Sequence, residues 1–239
     1  MKLTTFAITD IGMKRKVNQD AYLKDDQALF YVVADGMGGH KGGEVASKIA
    51  VDEMGKFYKE NPSLSGRDVL DKAINRSCAE IHKQSQENEE LSGMGTTVVS
   101  ILFQDDTAYI GQVGDSRAYL IHGQGIWQVT EDHSLINEEI RAGRLEAHQA
   151  SGFQFKNVIT RSVGYESQVA VDIYRRRVRA GDTFLLCTDG LSGLVEISEI
   201  SQEILAHGPE MGLKKLVSMA NARGGEDNIT GIVIRVDAT

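Results

Sequence analysis

Proline and cysteine are both scarce in this chain, with two of each among 239 residues. No proline-rich or Ser/Gly-rich linker, low-complexity tract or internal repeat breaks the pattern, so a single domain over residues 1–239 is expected. Cys78 and Cys187 lie far apart, and Cys187 sits inside an apolar run, which excludes a disulfide framework and reads as buried or free thiols in a reducing cytoplasm. Long apolar runs are missing too. No stretch approaches the ~20 residues of a membrane span, and the opening MKLTTFAITD is broken by threonines and Asp10 too soon for a signal peptide. Basic residues are in deficit, 26 against 34 acidic ones, for a formal net charge of -8. That balance argues against nucleic acid or an anionic membrane as a general partner and suits a protein that collects cations.

What is present is a dense series of strand-like runs: LTTFAIT, ALFYVVA, TTVVSILF, TAYIGQV, RAYLI, IWQVT, TFLLCT and ITGIVIRV. Helical spacing predicts two long helices, Gly43 to Tyr58 and Arg67 to Gln86, and two later ones, Ser198 to Ala206 and Glu210 to Ala222. Four strands in immediate succession, joined by QDD, GDS and GQG, read as an antiparallel meander, so the expected class is α+β with layered packing. Residues from about 135 to 168 sustain neither period and read as a mobile insertion.

The stretch VVADGMGGHKGGE, residues 32 to 44, sets a strand against glycines and a helix start, the usual setting of a phosphate loop. Two nucleotide readings fail there. A dinucleotide fingerprint from Gly36 and Gly38 needs a third glycine where Lys41 stands, and no Gly-Lys-Ser/Thr ending follows. The glycines instead let the backbone turn sharply beside Asp35. Asp35 ends one strand-like run, Asp115 and Asp189 end two others, and Asp227 stands just before the last. Antiparallel neighbours bring the end of one strand beside the start of the next, so all four carboxylates can converge on one sheet edge.

Any one of these aspartates alone reads as a turn residue, since Asp-Gly is a common turn dipeptide. Four at strand ends point to a site. Clustered carboxylates raise one another's pKa and call for a neutralising cation. With oxygen donors only, and no nearby Cys or paired-His spacing, ligand softness selects Mg²⁺ or Mn²⁺ over Zn²⁺ or Cu²⁺, calcium-stabilised loops being the alternative. Two such ions about 3.5–4 Å apart would activate water and clamp a phosphoryl group, which points to phosphate-ester hydrolysis.

Eight ordered segments, GMKRKVNQDA, VVADGMGGH, GTTVV, GQVGDSRAYL, TEDHS, NVITRSVG, LLCTDGLS and GGEDNITGIVI, span almost the whole chain. Together they resemble the motifs of the PPM family, the metal-dependent type 2C serine/threonine protein phosphatases in their compact bacterial form. The resemblance implies a four-layer αββα sandwich, two antiparallel sheets flanked by helix pairs, with a flap at about 135–168. It also implies a dinuclear Mn²⁺/Mg²⁺ centre that hydrolyses phosphoserine and phosphothreonine in proteins, with no phosphoenzyme.

Matched position by position, the resemblance makes Asp35 the aspartate bridging two metals and Gly36 the donor of a backbone carbonyl. Asp189 and Asp227 match ligands of the first metal, Asp115 matches the holder of a weaker third ion, and Asp20 resembles the acid that orients water. Arg15 matches the phosphate-binding arginine, its planar fork suited to two phosphate oxygens. Two departures stand out. Gln19 occupies the place of a ligating glutamate in some relatives, and Met37 that of a histidine proposed as general acid, which leaves His40 as a nearby substitute. His133 is expected to be structural, and Arg175 to Arg177 to be a solvated charge run. The expected partners are phosphorylated proteins and a cognate Ser/Thr kinase, and the expected state a cytoplasmic monomer. The alternatives are a non-catalytic phosphoprotein-binding module of the same fold, or a phosphatase dedicated to one regulatory protein.

Overall fold

Alternation along each strand decides which side chains meet. The structure is a computed structural model and describes residues 1–38, 42–146 and 158–239. One antiparallel sheet contains β1 (Lys2–Asp10), β7 (Arg117–His122), β8 (Gly125–Gln128), β10 (Thr183–Cys187) and β11 (Ile229–Ala238), in the order β1-β11-β10-β7-β8. The other contains β2 (Asp20–Asp25), β3 (Phe30–Met37), β5 (Val98–Gln104), β6 (Thr107–Val113) and β9 (Asp172–Arg177), in the order β2-β3-β5-β6-β9. The short β4 (Gly95–Thr96) pairs with the end of β3. Five helices accompany the sheets among the described residues: α1 (Gly42–Glu60), α2 (Gly66–Glu87), α3 (Leu135–Arg141), α4 (Asp189–Ser192) and α5 (Ile197–Ala222).

On β3, Tyr31 and Val33 point between the sheets, where they join Ile101, Phe184 and Ile232, while Phe30, Val32 and Ala34 point outward against α1 and α2. On the other sheet Leu185, Cys187 and Val233 face α4 and α5. Three buried apolar layers thus separate four layers of structure, the αββα sandwich expected. Each large apolar side chain taken out of water contributes ~1.5–3 kcal/mol, so these layers dominate the driving force. α2 starts where its sequence says it should, since the Ser65 hydroxyl accepts from Asp68 N at 3.2 Å.

The structure differs from the sequence reading at several points. β2 was not among the expected strands, because its DAYLKD sequence lies on a sheet edge and carries three charges. The four successive strands do not form one meander. β5 pairs with β6 and β7 with β8, but β6 and β7 belong to different sheets, so GDS carries the chain from one sheet to the other. Gly114, with φ +103, makes that crossing possible. The two late helices, by contrast, stand as expected: within Ile197–Ala222, Gly208 takes the non-helical φ 74 before Pro209 and divides the span into two helical segments.

The expected flap opens with the unforeseen helix α3, and its residues 147–157 lie outside the described ones. Beyond them the chain is strapped to the second sheet and to α2. Val163 and Thr96 exchange backbone bonds at 2.8 and 3.0 Å, Val169 N donates to Asn75 Oδ1 at 2.9 Å, and Gly164 N donates to Cys78 Sγ at 3.2 Å. Cys78 in turn donates to the Glu166 carbonyl at 3.0 Å.

Candidate metal centre

At one end of the sandwich the space between the sheets changes character. The inward parity of β3 runs Tyr31, Val33, Asp35, and threonines take over from the apolar residues of the neighbouring strands. Thr9 and Thr230 hydroxyls lie 2.7 Å apart, Thr230 N donates to Thr188 Oγ1 at 3.0 Å, and Thr97 and Ser116 hydroxyls meet at 2.7 Å. Hydroxyls give this end a polar lining whose donors can turn toward carboxylates.

Past that lining is a cleft of about 280 Å³ lined by Arg15, Gln19, Asp35, Gly36, Met37, Asp115, Asp189 and Asp227, among others. Asp35 lies two residues inside β3, Asp115 two beyond β6, Asp189 at the first turn of α4 after β10, and Asp227 two before β11. Asp20 is the Cα partner of Asp35 across the β2–β3 ladder and accepts from Thr188 Oγ1 at 3.0 Å. Gly36 is a true steric requirement: a Cβ there would stand 2.0 Å from the Gly43 carbonyl. β3 and the start of α1 therefore touch backbone to backbone. His40 lies outside the described residues.

Crowding shifts the carboxyl groups as expected. Burial, then Asp20, Asp189, Asp115 and Asp227, push Asp35 far above the ordinary carboxylate range. Burial raises Asp20 to about 7, with Asp189 and Asp227 adding and hydrogen bonds from Thr230 and Thr188 opposing. Asp115 is raised to about 7 by burial, Asp189 and Asp132. Burial, and after it the Asp227 carboxylate, raise Asp189 above its ordinary value. Arg15 Nη2 donates to Asp227 Oδ2 at 2.6 Å. Among the described residues no three acidic, His or Cys side chains close around one point. The donor set nonetheless fits hard divalent cations. It offers oxygen only, and two buried carboxylate oxygens, Asp20 Oδ1 and Asp189 Oδ1, lack any hydrogen-bond partner.

Supporting residues escaped the sequence reading. Buried Asn228 accepts from Gln19 N at 2.7 Å and donates to the Ile11 and Val17 carbonyls at 3.0 and 3.1 Å, bracing the segment that carries Arg15. Its position immediately after Asp227, before a strand, was the available signal. His133, expected to be structural, accepts from Gly114 N through Nδ1 at 3.0 Å and faces Asp172 through Nε2 at 3.1 Å. Burial holds its pKa below the usual value, so the neutral ring props the turn that presents Asp115. Arg117 grips Asp132 with a fork at 2.6 to 3.0 Å just beyond that turn. Of the arginine run, Arg177 pairs with Asp106 at 3.0 Å and Arg175 lies over the Tyr109 ring at 6.0 Å.

A carboxylate cleft with an arginine at its lip, at the end of a two-sheet sandwich, has the make-up of a metal-dependent phosphoesterase. The family model for protein phosphatase 2C matches residues 13–222. The chain belongs to that family of serine/threonine phosphatases. It is 36% identical to the serine/threonine phosphatase stp of Listeria monocytogenes, covering 97% of this chain and 95% of the relative. The crystal structure of the serine/threonine phosphatase PstP/Ppp of Mycobacterium tuberculosis superposes with a TM-score of 0.92 at 31% identity, over 98% of this chain and 99% of that one. A PstP catalytic domain solved in complex with 2 manganese ions gives 0.89 at 31% identity, over 98% and 99% of the two chains.

Proposed function

We propose that this chain hydrolyses phosphoserine and phosphothreonine monoesters of proteins at a dinuclear Mn²⁺/Mg²⁺ centre, opposing a Ser/Thr kinase. One observation carries the reading: Asp35, Asp115, Asp189 and Asp227, drawn from four separate strand ends, line the same cleft as Arg15. Asp35, Asp189, Asp227 and the Gly36 carbonyl would hold the two ions, with Asp115 and Asp189 available to a weaker third. When bound, the ions supply Lewis acidity and an activated water at neutral pH.

The chain's own residues do the rest. Arg15 offers a planar fork to the phosphate oxygens and exchanges its contact with Asp227 for one with substrate. Asp20, buried behind Asp35 and held by Thr188, positions the donors around it. Gln19, also lining the cleft, is an amide where a carboxylate would add charge, so it would bring a neutral oxygen and no negative charge to the ions. The whole chain acts as one domain, and a monomer in the cytoplasm is consistent with its composition. Among the described residues no helix is long and apolar enough to cross a membrane.

The test is turnover of p-nitrophenyl phosphate and phosphothreonine peptides with Mn²⁺ or Mg²⁺, before and after chelation. Turnover should vanish with EDTA and return with metal, and Asp35→Asn, Asp189→Asn and Asp227→Asn should each lose nearly all of it. Undiminished turnover after chelation, with metal analysis showing none left, would sink the reading.

A further inference from the structure

We propose that Lys14 and Lys16, on either side of Arg15, select phosphoprotein segments that carry aspartate or glutamate close to the phosphorylated residue. The inference rests on the phosphatase reading of the cleft and specifies which substrates it favours.

The loop from Ile11 to Gln19 is fixed along its backbone. Gly12 N donates to Asp10 Oδ1 at 2.8 Å, Met13 N and Lys14 N both donate to the Gly225 carbonyl at 2.8 and 3.2 Å, and Asn18 Nδ2 donates to Thr9 Oγ1 at 2.8 Å. Asn228 adds the three bonds already described. A Cβ on Gly12 would stand 2.2 Å from the Asp227 carbonyl, so the loop lies directly on the segment that carries a cleft carboxylate.

Its side chains do the opposite and project outward. Met13, Lys14, Arg15, Lys16 and Val17 are all exposed, Met13 by 66%. A rigid backbone presenting mobile side chains to solvent is how a scaffold displays recognition groups.

Arg15 has an acid to hold, Asp227, and it lines the cleft. Lys14 and Lys16 make no ion pair with any described residue. Some other exposed lysines pair locally, Lys48 with Asp52 and Lys214 with Glu210, and others such as Lys59 and Lys72 pair with no described residue. What distinguishes Lys14 and Lys16 is their place on either side of an arginine that lines the cleft. Glu226, exposed next to Gly225, offsets part of the loop's charge. Two cations therefore flank the residue that meets the phosphate, and an extended peptide advances ~3.3 Å per residue. Carboxylates within about three residues of the phosphorylated position fall within reach of a lysine side chain. Exposed Met13 and Val17 add an apolar contact for the neighbouring side chains.

Each exposed pair is modest, so two lysines give a preference of about tenfold at low salt. The experiment compares two phosphothreonine peptides, identical except for Asp or Glu in place of Asn or Gln at the flanking positions, with Mn²⁺ present. In the wild type kcat/KM should favour the acidic peptide by about tenfold, through KM, and raising ionic strength from about 0.05 to about 0.5 M should erase the preference. In the Lys14→Gln/Lys16→Gln variant the ratio should fall to about one. A control removing equal charge elsewhere, Lys59→Gln/Lys72→Gln on α1 and α2, should keep it. A ratio unchanged by the loop substitutions, lost equally in the control, or near one in the wild type overturns the proposal. No Mn²⁺-supported turnover of either peptide overturns this inference and the phosphatase reading together.

Discussion

At Asp115 an ionisable group is buried beside others of its own sign, and that has a measurable consequence. Its pKa of about 7 in the folded protein stands above the ordinary 3.8. The folded form therefore keeps a proton that the unfolded chain has already released, and stability falls as pH rises between those values. An asparagine has the same shape and no charge to desolvate. In EDTA, Asp115→Asn should melt above the wild type by a margin that opens from about pH 4 to about pH 7 and then holds constant. His133 changes stability in the opposite sense, its lowered pKa costing stability as pH falls below the usual imidazole value. Both proteins share that effect, so it cancels in the difference. Thermal melts across pH decide the matter, and a margin independent of pH would show that Asp115 is not buried against its neighbours. Residues of this kind were legible because an aspartate at a strand end is conspicuous in a linear string. Asn228 and Thr188 were not, since their partners at Val17, Ile11 and Asp20 lie far away in sequence.

Among the elements, the loop Ile11–Gln19 depends on a single side chain from the far end of the chain. Asn228 satisfies one donor and two acceptors there, and its removal takes all three of those bonds from a half-buried segment. Asn228→Ala should cost ~2–4 kcal/mol of stability and raise KM for phosphopeptides, because Arg15 loses its fixed position. Calorimetry with steady-state kinetics tests both effects. A lower melting temperature with unchanged KM would make Asn228 a purely structural brace. Most elements could be located from sequence because their apolar periods are strong, as in α1, where Ala46, Ala50 and Met54 are buried at four-residue spacing. β2 could not, since an edge strand needs only half a period of burial and may spend the rest on charge. The crossing at Gly114 was also hidden. Nothing local distinguishes a turn that joins two paired strands from one that hands the chain to another sheet.

For the whole molecule, the layered plan followed from strand and helix patterning, whereas the strapping of residues 163–169 onto β4 and α2 came only from contacts between distant segments. That strap places a thiol under it. Cys78 Sγ both accepts from Gly164 N and donates to the Glu166 carbonyl, and Cys187 is buried in the layer between the other sheet and its helices. Burial raises both thiols above their ordinary pKa, Cys187 to about 12, so neither reacts while it stays covered. The two sulfurs thus work as built-in clocks set to different doors. A thiol-reactive dye should modify Cys78 whenever the strap lifts, with little dependence on denaturant, and Cys187 only when the sandwich itself comes apart, with a steep one. Peptide mapping of the labelled sites separates the two rates, and a common rate with a common denaturant slope would mean the strap never opens alone. Where the rates separate, the faster one counts how often the strap loosens from α2 while the rest of the protein stays folded.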